Sequence, residues 1–317
     1  MKHSWKITAV LLIMFIVTQL IGLAVINAYI PVKETVIIDG EEQNRTINPL
    51  PYGMEPPEVK PQVSLISIII AFVLAILLIL LLTRIKAALF LRIWFFIVVI
   101  LAISITLNSL FLKFDTSYAT LIAALIALPL AFFKIFKRNL LVHNITELMI
   151  YPGIAAVFVP ILNIWTIIVL LILISAYDIY AVWHSKFMQN MAKFQINELK
   201  FFAGFFVPYT SKKEREKIKF LKQKYKNKVP EKVLKKQRIK FSLAILGGGD
   251  VIFPIIAAGI FLKSFGLISA LLVTTGAVVA LAALFMVARK GKFYPAMPFL
   301  TAGIFVGMLL GWLVSLI

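Results

Sequence analysis

Long, uninterrupted runs of apolar residues recur from one end of the chain to the other. A run of about 17 to 25 such residues is long enough to cross a bilayer as a helix. We predict nine spans, at about 7–30, 63–83, 91–112, 118–136, 146–162, 164–183, 241–262, 265–288 and 295–316. The first run is too long for the core of a usual signal peptide and is expected to be retained. The predicted fold is therefore an all-α membrane protein.

The basic residues between the runs predict which side of the membrane each loop faces. With the N-terminus inside, only five of the 33 lysines and arginines fall in outer segments. An excess of Lys and Arg is typical of cytoplasmic loops. We therefore expect an inside N-terminus and an outside C-terminus. The single domain, 1–317, would comprise six spans (1–183), a basic inner loop (184–240) and three more spans (241–317).

The overall composition supports a membrane protein and excludes several kinds of chemistry. The chain is 61% hydrophobic with a mean hydropathy of +0.97, well outside the range of soluble proteins. It has no cysteine, so disulfides, thiol catalysis and cysteine-bound metals are excluded. The three histidines are too scattered for a zinc site, and no HExxH or Gly-x-Ser sequence occurs. We expect neither a metal nor an organic cofactor.

The predicted inner loop is strongly basic, with 17 lysines and arginines against four acids. Apolar residues recur at helical spacing among these charges, at Ile196, Leu199, Phe202, Phe205, Phe206, Ile218, Leu221 and Tyr225. Basic amphipathic stretches beside spans are expected to lie on the anionic lipids of the inner surface. Because membrane topology already accounts for the lysines, we do not expect the loop to bind nucleic acid.

Two aspartates lie within the apolar runs, Asp178 in the sixth span and Asp250 in the seventh. The other acids lie in loops, except Glu147, which lies at the edge of a span and is expected at the surface. A charge at the centre of a spanning helix costs roughly 2.5 to 3.5 kcal/mol, which makes both aspartates candidates for a functional site. Both lie about 9 to 14 Å from the predicted inner face. Consecutive spans are usually neighbours, so we expect the two carboxyl groups to meet.

Helix-weakening residues surround Asp250. Each of the three glycines at 247–249 costs a helix about 1 kcal/mol relative to alanine. Pro254 lacks the N–H that would bond the Asp250 carbonyl, four residues earlier. Glycines elsewhere in the spans are expected to allow close helix packing: Gly259, Gly276, Gly303, Gly307 and Gly311.

The ninth span begins with two prolines, in the order Pro295-Ala296-Met297-Pro298. Residues that precede proline favour extended backbone, so Tyr294 and Met297 are expected to stay out of the helix. Non-helical backbone at membrane depth is tolerated only against protein or water. We therefore expect this segment to line the same cavity as the two aspartates.

Two carboxyl groups in one water-accessible site cannot both ionise easily, so the pair holds one proton between its members. In an aspartic protease the ionised member activates water and the protonated member polarises the scissile carbonyl. The sequence does not assign these roles to one aspartate or the other. Buried acid pairs also serve proton or cation transport and ion leaks, and that alternative stays open. We see none of the repeated halves that transporters of common design show.

Three short motifs resemble the presenilin and signal peptide peptidase family of intramembrane aspartic proteases, and in particular its archaeal presenilin homologues. Tyr177-Asp178 matches the family's Tyr-Asp, and Gly247-Gly248-Gly249-Asp250 matches its Gly-x-Gly-Asp. Pro295-Ala296-Met297, followed by Pro298, matches Pro-Ala-Leu. The three motifs occur in the family's order on spans six, seven and nine. This chain differs in having Met297 for leucine and Gly248 where presenilins have leucine, and neither change removes a catalytic group.

The resemblance implies an endopeptidase that cuts inside membrane spans, with Asp178 and Asp250 as its dyad. Tyr177 and the motif glycines would support the dyad, and residues 295–298 would hold the unwound substrate. Substrates would be transmembrane proteins or signal peptides, with their N-terminus outside by analogy with presenilin. The protein would cross an archaeal plasma membrane several times. The sequence leaves open the natural substrate and whether copies of the chain associate.

Overall fold

Long apolar helices form the body of the protein in the computed structural model. The structure describes residues 5–30, 32–38, 41–47, 52, 88–112, 118–137, 139–184, 203–210, 241–288 and 294–316, with isolated positions between 66 and 81. The helices are α1 (Trp5–Ala28), α2 (Ala88–Phe111), α3 (Ala119–Phe136), α4 (Leu140–Phe158), α5 (Ile164–Trp183), α6 (Gly248–Phe265), α7 (Leu267–Val287) and α8 (Met297–Val314). All eight, counted within those ranges, are long and apolar enough to cross a membrane. The sixth, seventh and ninth predicted spans correspond to α5, α6 and α8.

The second predicted span, 63–83, lies largely outside the described residues. Its described positions, which include Ile66, Ile70 and Leu74, are helical and exposed. The apolar positions predicted at 196–202 and 218–225 of the basic loop also lie outside the described ranges. The count of nine spans, the inside N-terminus and the lipid contacts of that loop therefore stay predictions.

Two antiparallel pairs of strands accompany the helices, so the all-α prediction holds for the spans but not for the whole chain. β1 (Val32–Ile38) pairs with β2 (Glu41–Ile47) in the predicted outer loop. β3 (Gly204–Thr210) pairs with β4 (Phe241–Gly247), with Gly204 opposite Gly247. Strand β4 ends where α6 begins, so this second pair of strands lies directly beside Asp250.

The predicted helix at 241–262 is wrong in its first seven residues, which form β4, and α6 begins only at Gly248. Within β4, Ala244 and Leu246 are buried while Ile245 between them is exposed, as in a half-buried strand. A short apolar run alone does not distinguish a strand from a helix, and here β3 supplies the backbone partner. Phe205 and Phe206, predicted on a surface helix, lie on β3, and Phe205 is fully buried.

Helix α6 lies at the centre of the bundle. It is the most buried of the candidate spans and contacts α1, α4, α5, α7 and α8. Its core-facing side chains include Val251, Ile255 and Ile256, all nearly inaccessible. A separate core joins α2, α3 and α4. The first turn of α6, which carries Asp250, is therefore enclosed by protein on several sides.

Glycines bring α7 and α8 into close contact. A Cβ atom on Gly276 would lie 2.1 Å from the Gly303 carbonyl oxygen, and one on Gly303 would lie 2.3 Å from the Gly276 carbonyl oxygen. Gly307 and Gly311 lie against the α7 backbone in the same way. Backbone approach of this kind is how small residues hold membrane helices together. It also fixes where α8 begins relative to the rest of the bundle.

Candidate active site

Asp178 lies near the C-terminal end of α5 and faces the core, with 4% of its surface exposed. Its Oδ2 accepts a hydrogen bond of 3.0 Å from the backbone N–H of Met297, and the Ala296 N–H is a second donor to the carboxyl group. Its Oδ1 has no hydrogen-bond partner among the described residues. One oxygen is therefore held by the start of α8, while the other has no such anchor.

The segment before α8 reaches Asp178, as the sequence predicts, but Met297 is the first residue of the helix. The prediction that Met297 stays out of the helix is wrong. Pro298 stands in the first turn, where its missing N–H has no intrahelical partner to lose. The unpaired N–H groups of that turn and the positive end of the helix dipole favour a carboxylate there. The start of α8 is thus a binding site for Asp178.

Asp250 is the third residue of α6, not a residue well inside a helix. Gly247 precedes the helix with extended backbone, φ −65° and ψ 146°. Its N–H donates back to the Asp250 carboxyl group. An acid at the third helical position that bonds this N–H forms one half of a capping box. The junction between β4 and α6 therefore holds Asp250 in place.

The two aspartates predicted from the sequence come together. Helix α5 contacts α6, and Asp178 is close enough to act electrostatically on Asp250. Tyr177, beside Asp178, is half-buried and interacts with it electrostatically. The expected supporting role of Tyr177 stays a prediction.

Of the three glycines before Asp250, Gly248 has the least room. A Cβ atom there would lie 2.7 Å from the Tyr151 Oη and 2.9 Å from its Cε1. At Gly249 the nearest atom would be Phe253 Cε2, at 3.9 Å. These glycines were expected to weaken a helix, but they lie at its start: Gly247 precedes α6, and Gly248 and Gly249 are its first two residues. Gly247 is also close to a neighbour, since a Cβ atom there would lie 3.1 Å from the Asp250 Oδ2, whereas Gly249 has room for a side chain.

Gly248→Ala is expected to destabilise the protein by about 1 to 3 kcal/mol, because the fully packed Tyr151 ring must shift to admit a methyl group. Gly249→Ala, one residue further on, meets open space and replaces glycine with the better helix former. Thermal unfolding in detergent measures both variants. Equal unfolding temperatures for the two would contradict this assignment of the tight position.

The paired strands β3 and β4 are fixed to the start of α4. The His143 Nε2 lies 2.8 Å from the Gly204 carbonyl oxygen, and its ring stacks on Phe206 at 4.8 Å. The Asn144 side chain donates to the Phe206 carbonyl and accepts from the Phe206 N–H, at 2.8 and 3.0 Å. Strand β3 is thus held by α4 on one edge and by β4 on the other. Among the described residues, β3 is the only strand that pairs with β4.

Glu147 is buried, with 1% of its surface exposed, so the prediction of a surface position is wrong. Its Oε1 lies 2.5 Å from the Lys134 Nζ and 3.6 Å from the His143 Nε2. A third acid therefore lies within the helices, balanced by a lysine from α3. Pairing of this kind is how charged side chains are accommodated inside a membrane. Within the described ranges, no three potential ligands cluster to hold a metal ion.

Polar side chains that sequence reasoning passed over also support the site. The Gln19 Nε2, from α1, donates to the Val251 carbonyl at 3.0 Å, one residue beyond Asp250. The Ser175 and Thr301 hydroxyls hydrogen-bond at 2.7 Å and join α5 to α8, one turn from Asp178. All three are polar residues within apolar runs, and this was the available signal.

A family model and two solved structures that are similar to this chain describe the same kind of protein. A family model described as signal-peptide peptidase, presenilin aspartyl protease matches residues 48–317. Two solved structures of a presenilin family intramembrane aspartate protease, in space groups C222 and P2, are similar in fold. The first has a TM-score of 0.58 at 19% identity, covering 97% of this chain and 99% of that one. The second has 0.57 at 18% identity, covering 96% of each. No curated protein matches.

Proposed function

Because this chain belongs to the signal-peptide peptidase and presenilin family of aspartyl proteases, we propose that it hydrolyses peptide bonds within the membrane spans of other proteins, using Asp178 and Asp250. The proposal is carried by the buried Asp178 carboxyl group, which the start of α8 holds by one oxygen beside Asp250. Its other oxygen is buried and has no hydrogen-bond partner among the described residues, so it is not tied to another protein group.

In the proposed reaction, one carboxylate takes a proton from water as the water attacks the scissile carbonyl carbon. The other, protonated, carboxyl group donates to the carbonyl oxygen. The first carboxyl group then gives the proton it took from water to the amide nitrogen as the C–N bond breaks, and the second takes a proton back from a hydroxyl of the intermediate. Because one proton must be shared, we expect activity to fall at low pH, where both groups are protonated, and at high pH, where both are ionised. A water-filled route from the inner face must reach the pair.

A membrane helix must unwind before its backbone can enter such a site. Residues 294–296, which precede α8 as non-helical backbone, are suited to hold the unwound segment next to Asp178. Strand β4 offers a second extended backbone, which ends at Gly247 beside Asp250. Substrates would therefore be transmembrane proteins or signal peptides. The nine-span arrangement with an inside N-terminus, and a basic loop on anionic lipid, are parts of the same proposal.

Reconstituted vesicles test the proposal. Purified protein is incorporated with a single-span substrate, and the products are identified by mass. We expect cuts within the span of the substrate and no proton or cation flux above that of empty vesicles. Flux without cleavage would favour the transport alternative and would overturn the protease proposal.

Met297→Leu is expected to change the preferred cut positions while total activity stays within about threefold of wild type. The Met297 N–H that binds Asp178 is unaffected, and leucine differs little from methionine in volume. Mass analysis of the products from one substrate measures the change. A complete loss of cleavage would contradict the role given to this segment.

A further inference from the structure

Tyr151, on α4, is a buried tyrosine that the proposed chemistry does not use. It is 3% exposed, and its ring packs edge-on against Phe205 at a centroid distance of 5.8 Å. Its Oη lies where a side chain on Gly248 would lie. Among the described residues the hydroxyl has no hydrogen-bond partner that meets normal geometry.

A second unpaired group lies one helical turn away. The Oε1 of Glu147 is bound by Lys134, but its Oε2 has no partner among the described residues. Glu147 and Tyr151 are four residues apart on α4, a spacing that brings side chains together on one face. The Tyr151 hydroxyl lies beside Glu147 and also within electrostatic reach of Asp250. It therefore stands between a buried ion pair and the proposed dyad.

A phenol can donate one hydrogen bond and accept others. Buried polar groups are normally hydrogen-bonded, and an unpaired one is costly. A hydrogen bond to a neighbouring carboxyl group would satisfy the Tyr151 hydroxyl. The hydroxyl can donate to Glu147 while it accepts from a protonated Asp250, or donate to Asp250 when that group is ionised. Either state would hold the Asp250 side chain from the α4 side, in addition to its bond to Gly247.

We propose that Tyr151 is a positioning residue for Asp250, an inference that rests on the proposed protease function. Its hydroxyl, supported by the Lys134–Glu147 ion pair, hydrogen-bonds to the Asp250 carboxyl group, and Gly248 is glycine because the phenol occupies the space above it. The motif position that varies in the family is thus coupled, in this chain, to a tyrosine on another helix.

Tyr151→Phe removes only the hydroxyl. We expect kcat to fall about 10- to 100-fold, in line with loss of a hydrogen bond to a charged group, with KM unchanged. The matched control is Tyr29→Phe, because Tyr29 is equally buried but donates to the Ile105 carbonyl, away from the site. We expect this control to lower the unfolding temperature slightly and to leave kcat at the wild-type value. Equal kcat values for the two variants would overturn the proposal.

Infrared spectroscopy tests the same bond without cleavage. The carboxyl band of Asp250 is identified as the band that Asp250→Asn removes, and we expect it to shift in Tyr151→Phe but not in Tyr29→Phe. An unshifted band would overturn the proposal. If the wild-type protein cuts no substrate, the proposed function is refuted. The infrared measurement does not depend on cleavage, so it would still show whether Tyr151 bonds to Asp250. If wild type cleaves and Tyr151→Phe keeps full kcat, only the Tyr151 proposal fails.

Discussion

Asp178→Asn and Asp250→Asn are each expected to abolish cleavage of a single-span substrate, lowering kcat on the order of 10⁴-fold or more. Asparagine has nearly the shape of aspartate but cannot ionise or carry the shared proton. At position 178 its amide oxygen can still accept the Met297 N–H, so the contact between α5 and α8 is retained. At position 250 it can still accept from the Gly247 N–H. Both variants should therefore fold, and the loss should lie in the chemical step.

The measurement is cleavage in vesicles, with thermal unfolding of each variant measured in parallel. Asp115→Asn, in the predicted outer turn after the third span, makes the same chemical change away from the site and should retain wild-type activity. Cleavage that persists at the wild-type rate in either dyad variant would remove the basis for an aspartic mechanism. If neither variant folds, the cleavage and flux measurements on the wild-type protein decide between protease and transporter.

Gly303→Leu is expected to destabilise the protein by more than about 3 kcal/mol and to abolish cleavage with it. The new side chain would meet the Gly276 carbonyl oxygen at 2.3 Å and the Ala280 Cβ at 2.5 Å, and a backbone atom cannot move aside as a side chain end can. Helix α8 would have to separate from α7. The Met297 N–H at its start would then move away from Asp178.

The matched control is Ala302→Leu, one residue earlier on the exposed face of α8. It adds similar apolar volume where no helix packs, and its effect on unfolding should be within about 0.5 kcal/mol. Thermal unfolding in detergent and the cleavage assay measure both variants. Similar unfolding temperatures for Gly303→Leu and Ala302→Leu would contradict the close approach of α7 and α8.

Both aspartates of the candidate site could be predicted from the sequence alone. Asp178 and Asp250 were predicted from two observations: each is an acid within an apolar run, and each belongs to a short motif in the right order. The start of α8 was predicted at the same site, and its Met297 N–H contacts Asp178 there. An acid inside an apolar span is costly, so its presence there indicates a function. This is why both aspartates could be identified from the sequence.

The strand before Asp250 was not readable in the same way. Residues 241–247 are apolar, and a seven-residue apolar run fits either a buried strand or the first turns of a helix. Its partner, β3, lies more than thirty residues earlier, beyond a basic stretch. Pairing with Gly204–Thr210, and the anchoring of that strand by His143 and Asn144, decided the outcome.

By itself, the sequence determined that this chain crosses a membrane many times, that two aspartates lie within apolar runs, and that glycines allow the spans to pack closely. Each follows from the hydropathy or the size of particular residues, and both properties can be read directly from the order of residues in the chain. Only the tertiary structure decided that α6 starts at Gly248, that Glu147 is buried against Lys134, and that Tyr151 lies over Gly248. These depend on which side chains from distant segments face one another, and a linear pattern does not specify those contacts.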